Sequence, residues 1–267
     1  MKRVVSFLKG GIYLKKKIKI SLALIIFLNL FFVFETNILL AKQSLIESEY
    51  QKLSQQFYNN EVESKQIKDD LANLLAEAKK LNKADKSTYW QGQIYFLKAE
   101  IDEDNRVDYL EESKSLLEDS ISKDDQFSDS YRALADTYMR LLDNKGRIFA
   151  IRNGPKVIDL LEEATALDDK NKAAYNAKGK AYLEAPRIAG GSAEKALSFL
   201  TKAVELNQNE KQLDRFFNYY YLTEVYLELE EYEKALNYIK KALEIFPNNQ
   251  DSINLKDEIL QRGGLNE

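Results

Sequence analysis

The sequence predicts an all-α solenoid of about five helical hairpins ending in a C-terminal capping helix, and two observations carry that expectation. The first is a pattern in which two tyrosines flank a small or short residue. It reads Tyr131, Leu134, Ala135, Tyr138, then Tyr175, Lys178, Gly179, Tyr182, then Tyr219, Leu222, Thr223, Tyr226, with 44 residues between copies. Residues three, four and seven apart share one face of a helix, and a small residue on that face lets a second helix approach closely. The second observation is that this partner follows each time as an apolar stripe centred on alanine. The stripes are Leu160, Leu161, Ala164, Leu167, then Ala196, Leu200, Ala203, Leu206, then Ala235, Ile239, Ala242, Ile245, and the alanines at 164, 203 and 242 lie 39 apart. A helix–turn–helix unit repeated at this period buries its apolar face only against its neighbours.

Taken in chain order, the first 41 residues differ from the rest. Lys15, Lys16, Lys17 and Lys19 precede Ile20 to Phe34, a run without charge, and Ala41 offers a small residue for cleavage. This is the pattern of an export signal, either removed as a signal peptide or kept as an N-terminal signal anchor; the run is short of the roughly 20 residues a spanning helix takes. Either outcome leaves the lysines cytoplasmic and places the repeats outside, in the periplasm or at the cell exterior.

Residues 42–267 form the solenoid. Ile46, Tyr50, Leu53 and Phe57 follow helical spacing, as do Ile67, Leu71, Leu74, Leu75, Ala78 and Leu81. Trp90 heads a helix to Ala99, while Leu116, Leu117 and Ser120 take the place of the later alanine stripe. These read as two degenerate hairpins. The clearest repeats are 128–171, 172–210 and 216–249. Relative to the last, the first two have grown turns, by about ten residues around Asn144 to Lys156 and about five around Ala185 to Ser192. Pro247 and Asn249 end the last repeat and start a capping helix over 250–262, stopped by Gly263 and Gly264.

At Tyr219, Leu222, Thr223, Tyr226, Ala235, Ile239, Ala242 and Pro247 the chain resembles the tetratricopeptide (TPR) repeat family, with Thr in place of the usual Gly. The resemblance implies a right-handed solenoid whose first helices line a concave groove through the positions one and five after each leading aromatic. Carried over residue by residue, these are Gln91 and Tyr95, Arg132 and Asp136, Asn176 and Lys180, and Tyr220 and Glu224. The set lacks the stacked Lys and Asn of TPR domains that clamp a C-terminal carboxylate. The repeat tyrosines themselves read as core. A second resemblance covers 128–249. Tyr182, Ala185, Pro186, Arg187, Gly190, Gly191, Ala196 and Leu197 are similar to the T component of periplasmic TRAP transport systems, which implies a subunit docking with a periplasmic substrate-binding protein.

Composition narrows the function classes. There is no cysteine and no histidine, so disulfides, thiolate nucleophiles and imidazole or thiolate metal sites are excluded. Beyond residue 41 the chain carries 32 basic and 42 acidic residues, and that acidic body lacks the basic stripe nucleic acid requires. The carboxylate pairs Glu111/Glu112, Glu118/Asp119, Asp124/Asp125, Glu162/Glu163 and Asp168/Asp169 are adjacent residues, which point about 100° apart on a helix and read as solvated faces. Asp102, Asp104, Arg106 begins like a calcium loop and fails at the arginine. Gly190, Gly191, Ser192 lack the lysine of a phosphate-binding loop; Ser192 reads as a helix cap with Glu194 at the positive end. The expectation is a non-enzymatic binding scaffold with a protein partner, no cofactor, and membrane contact only through an uncleaved N-terminus; the alternative is the transport subunit.

Overall fold

The computed structural model describes the backbone of residues 2–81, 85–206 and 212–265, and side chains within them from residue 28 onward except Glu35 and Asp85. The chain divides into two compact units, up to Leu45 and from Ile46. Its first helix, α1, is Lys2–Tyr58. In the first unit it exposes Leu28, Leu30, Phe31, Phe32, Val33 and Phe34, each more than half accessible. The side chains of the lysine cluster and of the start of the apolar run lie outside the described residues. Among the described residues no helix is long and apolar enough to cross a membrane.

The second unit is a stack of helical hairpins. After α1 come α2 Ser64–Lys79, α3 Asp85–Ile101, α4 Arg106–Lys123, α5 Ser128–Lys145, α6 Arg147–Leu167, α7 Lys172–Glu184, α8 Ala193–Leu206, α9 Gln212–Glu228, α10 Tyr232–Ile245 and α11 Gln250–Gly263. Helices α3 with α4, α5 with α6, α7 with α8 and α9 with α10 form antiparallel pairs, and α11 lies on α10. The turn after α1 repeats the one after α9. Asn59, Asn60 and Glu61 donate to the carbonyls of Gln55, Phe57 and Gln56, as Leu229, Glu230 and Glu231 do to Val225, Leu227 and Tyr226. Asn60 and Glu230 both take positive φ, 50° and 59°. The last four residues of repeat 172–210 lie outside the described residues.

Close approach at a small residue locks each pair. Leu200 on α8 fills the space where Gly179 on α7 has no side chain, and Leu117 on α4 does the same at Gly92 on α3. Leu117, Leu161, Leu200 and Ile239, at the same place in successive hairpins, are fully buried. Each such side chain contributes roughly 1.5–3 kcal/mol. Matching Gly92 to Gly179 fixes the register of the earlier hairpin. Its lead position is Thr88, two residues before the Trp90 expected from sequence. There Ser113 and Ser120 replace alanines in the buried stripe and stay satisfied: Ser113 Oγ donates to the Gly92 carbonyl at 2.9 Å and Ser120 Oγ lies 2.8 Å from Ser130 Oγ.

The inserted residues around Asn144 to Lys156 are not a grown turn. Gly146 at φ 78° reverses the chain, and α6 begins at once with Arg147. The insertion is thus extra helix, with Pro155 inside it. Asn153 Nδ2 donates to the Phe149 carbonyl, so a local side chain supports the backbone near the proline. The insertion at Ala185 to Ser192 is a true loop, a single 3-10 turn over Arg187–Ala189.

Candidate binding groove

Successive first helices touch one another as well as their own partners: α3 meets α5, α5 meets α7, and α7 meets α9. That contact puts them on the inner, shorter side of the curve. Positions one and five after the repeat lead then face inward. Six of the residues expected there form one wall: Arg132 and Asp136 on α5, Asn176 and Lys180 on α7, Tyr220 and Glu224 on α9. Arg132 Nη1 pairs with Asp136 at 2.7 Å, one turn away, and its Nη2 donates to Tyr89 Oη at 3.2 Å. Lys180 pairs with Glu184 at 3.6 Å and lies over the Tyr221 ring.

Gln91 and Tyr95 are elsewhere, because the register of α3 is offset by two. Gln91 donates to Ser87 Oγ on its own helix, and Tyr95 packs against Tyr109 of α4 with Lys98 over both rings. Their places in the wall are taken by Tyr89 and Gln93, each 5% exposed. The signal for this was Gly92, the one glycine of α3, two residues after Trp90.

The end of α1 also lies against this inner face, a placement that no periodicity revealed. Ile46, Tyr50, Leu53 and Ser54 are buried. Tyr50 packs on Trp90 of α3, ring centroids 5.7 Å apart, and Tyr58 meets Phe217 of α9 edge to face at 4.9 Å. Beyond the helix, Asn59 Oδ1 accepts from Asn248 N, Asn60 Nδ2 donates to the Asn248 carbonyl, and Asn249 Nδ2 donates to the Tyr58 carbonyl at 2.6 Å. Asn249 simultaneously caps α11 by accepting from Ser252 N at 2.8 Å. The end of α1 and the last turn are therefore joined; α1 does not pack along α2, so the first of the two degenerate hairpins expected from sequence is replaced by this placement of α1 on the inner face.

Burial dominates the electrostatics of this interior. It pushes the Tyr50 hydroxyl up to about 12 and the hydroxyls of Tyr58, Tyr89, Tyr220 and Tyr221 up as well, so all are neutral hydrogen-bonding groups. Burial opposes the charge of both arginines, but Asp136 and Asp129 outweigh it at Arg132, and Glu100, to which Arg140 Nη2 donates, outweighs it at Arg140. Burial, then the neighbouring Glu184 carboxylate, raises the Glu224 carboxyl to about 7 against the pull of Lys180. Between these groups the side-chain oxygen of Asn176, a residue 8% exposed, is buried without a hydrogen-bond partner.

The long loop is built as capping rules require. Ser192 Oγ accepts from Lys195 N at 3.2 Å and donates to Glu194, whose carboxyl is held low by that bond. Gly191 is needed because a Cβ there would overlap the Ala185 carbonyl. Asp102, at the head of the calcium-like run, pairs with Lys68 at 3.1 Å.

No family model and no curated protein matches the chain. Among solved structures, the thermophilic TPR protein TTC0263 of Thermus thermophilus aligns with a TM-score of 0.56 at 18% identity, over 72% of this chain and 91% of that one. The TPR protein YrrB, described as having an unusual peptide-binding site, aligns at 0.44 and 19% identity, over 71% and 84%. The assembly chaperone of RpL4, Acl4, aligns at 0.44 and 15%, over 73% and 78%. By its hairpins, its glycine contacts and the first of these likenesses, the chain has the fold of a TPR solenoid.

Proposed function

We propose that the chain is an exported, non-enzymatic scaffold that holds a segment of a partner protein against the inner faces of α7 and α9. The observation that carries this is Asn176. A buried acceptor left unpaired costs about 1–3 kcal/mol, and it sits on the inner face one turn from Lys180. An extended segment can supply a backbone N–H to that oxygen and an acceptor to Lys180, while Tyr220 offers a large, stiff contact surface. Fold likeness to TTC0263 supports the class of protein, and the basic-then-apolar N-terminus supports export. Arg132 is a poor probe, since its pairs with Asp136 and Tyr89 hold the interior together.

Site-specific photocrosslinking in the producing cells tests the reading. p-Benzoylphenylalanine placed at Lys180 or at Tyr220 should trap a discrete protein band that the same residue at Lys202, exposed on an outer helix, does not. Equal capture at Lys202, or none at Lys180 and Tyr220, overturns it.

A further inference from the structure

We propose that the tips of the two central hairpins, the start of α6 and the α7–α8 loop, form a docking patch for an anionic phospholipid surface. The extended start of α6 is fixed from within: Phe149 joins the cluster of Ala99, Leu110 and Leu141, and the Lys145 ammonium lies over its ring. The opposite face is therefore held outward. It presents Arg147, Ile148, Ile151, Arg152 and Pro155, with Ile148 exposed at 72% and Ile151 at 78%. Positions i, i+1, i+4, i+5 and i+8 make one continuous helical stripe. Both turns join a first helix to its partner, so the α7–α8 loop emerges at the same end of the next hairpin; there Ile188 is fully exposed beside Arg187, which pairs with Glu228 at 3.9 Å and so adds apolar surface rather than free charge to the patch.

Two features favour lipid over protein as the occupant. From Asn144 to Ile158 the chain carries four cations and no acid, although the body as a whole is strongly acidic; Lys145 and Lys156 pair with Glu111 and Glu118 of α4, which leaves the charge of the patch to Arg147 and Arg152. Arg147 and Arg152 make no ion pair among the described residues, so their charge is free to meet an anion, and each cation near an anionic bilayer adds attraction. The apolar groups are isolated isoleucines with no exposed aromatic anchor at their centre, which suits shallow insertion between headgroups better than a protein hot spot. The flanking tips are acidic, with Asp102, Glu103 and Asp104 on one side and Glu228, Glu230 and Glu231 on the other. Only the two central hairpins can approach such a surface. On the proposed function the export segment carries the chain across a membrane and, left uncleaved, keeps it there.

The absence of cysteine permits a local test on the full chain. Ile151→Cys, Ile188→Cys and, at the opposite end of the hairpins, Lys170→Cys are each labelled with a polarity-sensitive fluorophore. They are mixed with vesicles of phosphatidylcholine alone or with one third phosphatidylglycerol. The N-terminal segment, itself basic, is common to every labelled variant, so the label at 170 reports what that segment alone does on each kind of vesicle. Labels at 151 and 188 should shift to the blue and be quenched by brominated lipid only on the anionic vesicles, and the label at 170 should not. Adding Arg147→Glu with Arg152→Glu should lower the docked-to-free ratio at least thirtyfold, from about 1 kcal/mol per cation. Unshifted labels, a shift of equal size on phosphatidylcholine, or docking unaffected by the charge reversal overturns the proposal, the first also being the outcome for a protein occupant.

Discussion

Two residues show how a single atom or proton decides the local energetics. At Gly179 a Cβ would stand 2.5 Å from Leu200 Cγ and 3.2 Å from the Ala196 carbonyl, so neither neighbour can retreat without moving α8. Alanine is the better helix former by about 1 kcal/mol, yet overpacking costs about 1–3 kcal/mol. Gly179→Ala should therefore lose about 1–2 kcal/mol in urea unfolding, and a gain would mean that the helices do not approach so closely. Glu224 poses the opposite problem, a carboxylate that burial disfavours. Its folded value of about 7 lies above the roughly 4.3 of an unfolded glutamate, so the folded state holds the proton more tightly between them. The stability this group contributes is complete below about pH 4 and is lost as pH rises through 7, amounting to about 4 kcal/mol at most. Glu224→Gln should accordingly gain on the wild type between about pH 5 and pH 8. A difference between the two that does not change with pH would show the carboxyl to be solvated.

At the scale of the element, what the sequence disclosed follows from what was periodic. The tyrosine–small–tyrosine pattern and the alanine stripes located α5 to α10 because each marks a contact made in every copy, and the six wall residues on α5, α7 and α9 followed from that register. In α3 the lead position is Thr88 and the eye-catching aromatic is Trp90, whose ring packs on Tyr50 of α1 instead. The small residue, not the aromatic, is the better register mark, since only it is dictated by backbone approach. The insertion at Asn144 to Lys156 failed for a different reason: Gly146, the Asn153-Gly154 pair and Pro155, so close together, read as a turn. Phe149 overrides them by packing on the α3–α4–α5 cluster, an example of tertiary contact deciding over local preference.

For the whole molecule, the contact between α1 and the far end of the stack changes the expected physics. In an open solenoid each hairpin meets only its neighbours, stability is a sum of local and nearest-neighbour parts, and ends fray independently. Here the Tyr58–Phe217 pair and the three hydrogen bonds from residues 58–60 to Asn248 and Asn249 connect positions far apart in sequence, up to 191 residues. Nothing periodic encodes such a closure, which is why it was invisible before the fold was known. It also ties the groove to folding: anything that enters between α1 and α9 must separate those rings. A double-mutant cycle with Tyr58→Leu and Phe217→Leu measures the link, because edge-to-face rings couple by about 0.5–1.5 kcal/mol beyond the area they bury. Coupling in that range, together with hydrogen-exchange protection of α11 that falls when Tyr58 is replaced, is the expected result. Additivity within about 0.3 kcal/mol, with α11 protection untouched, would mean that in solution the end of α1 and the last turn stand apart and the groove is open along its length.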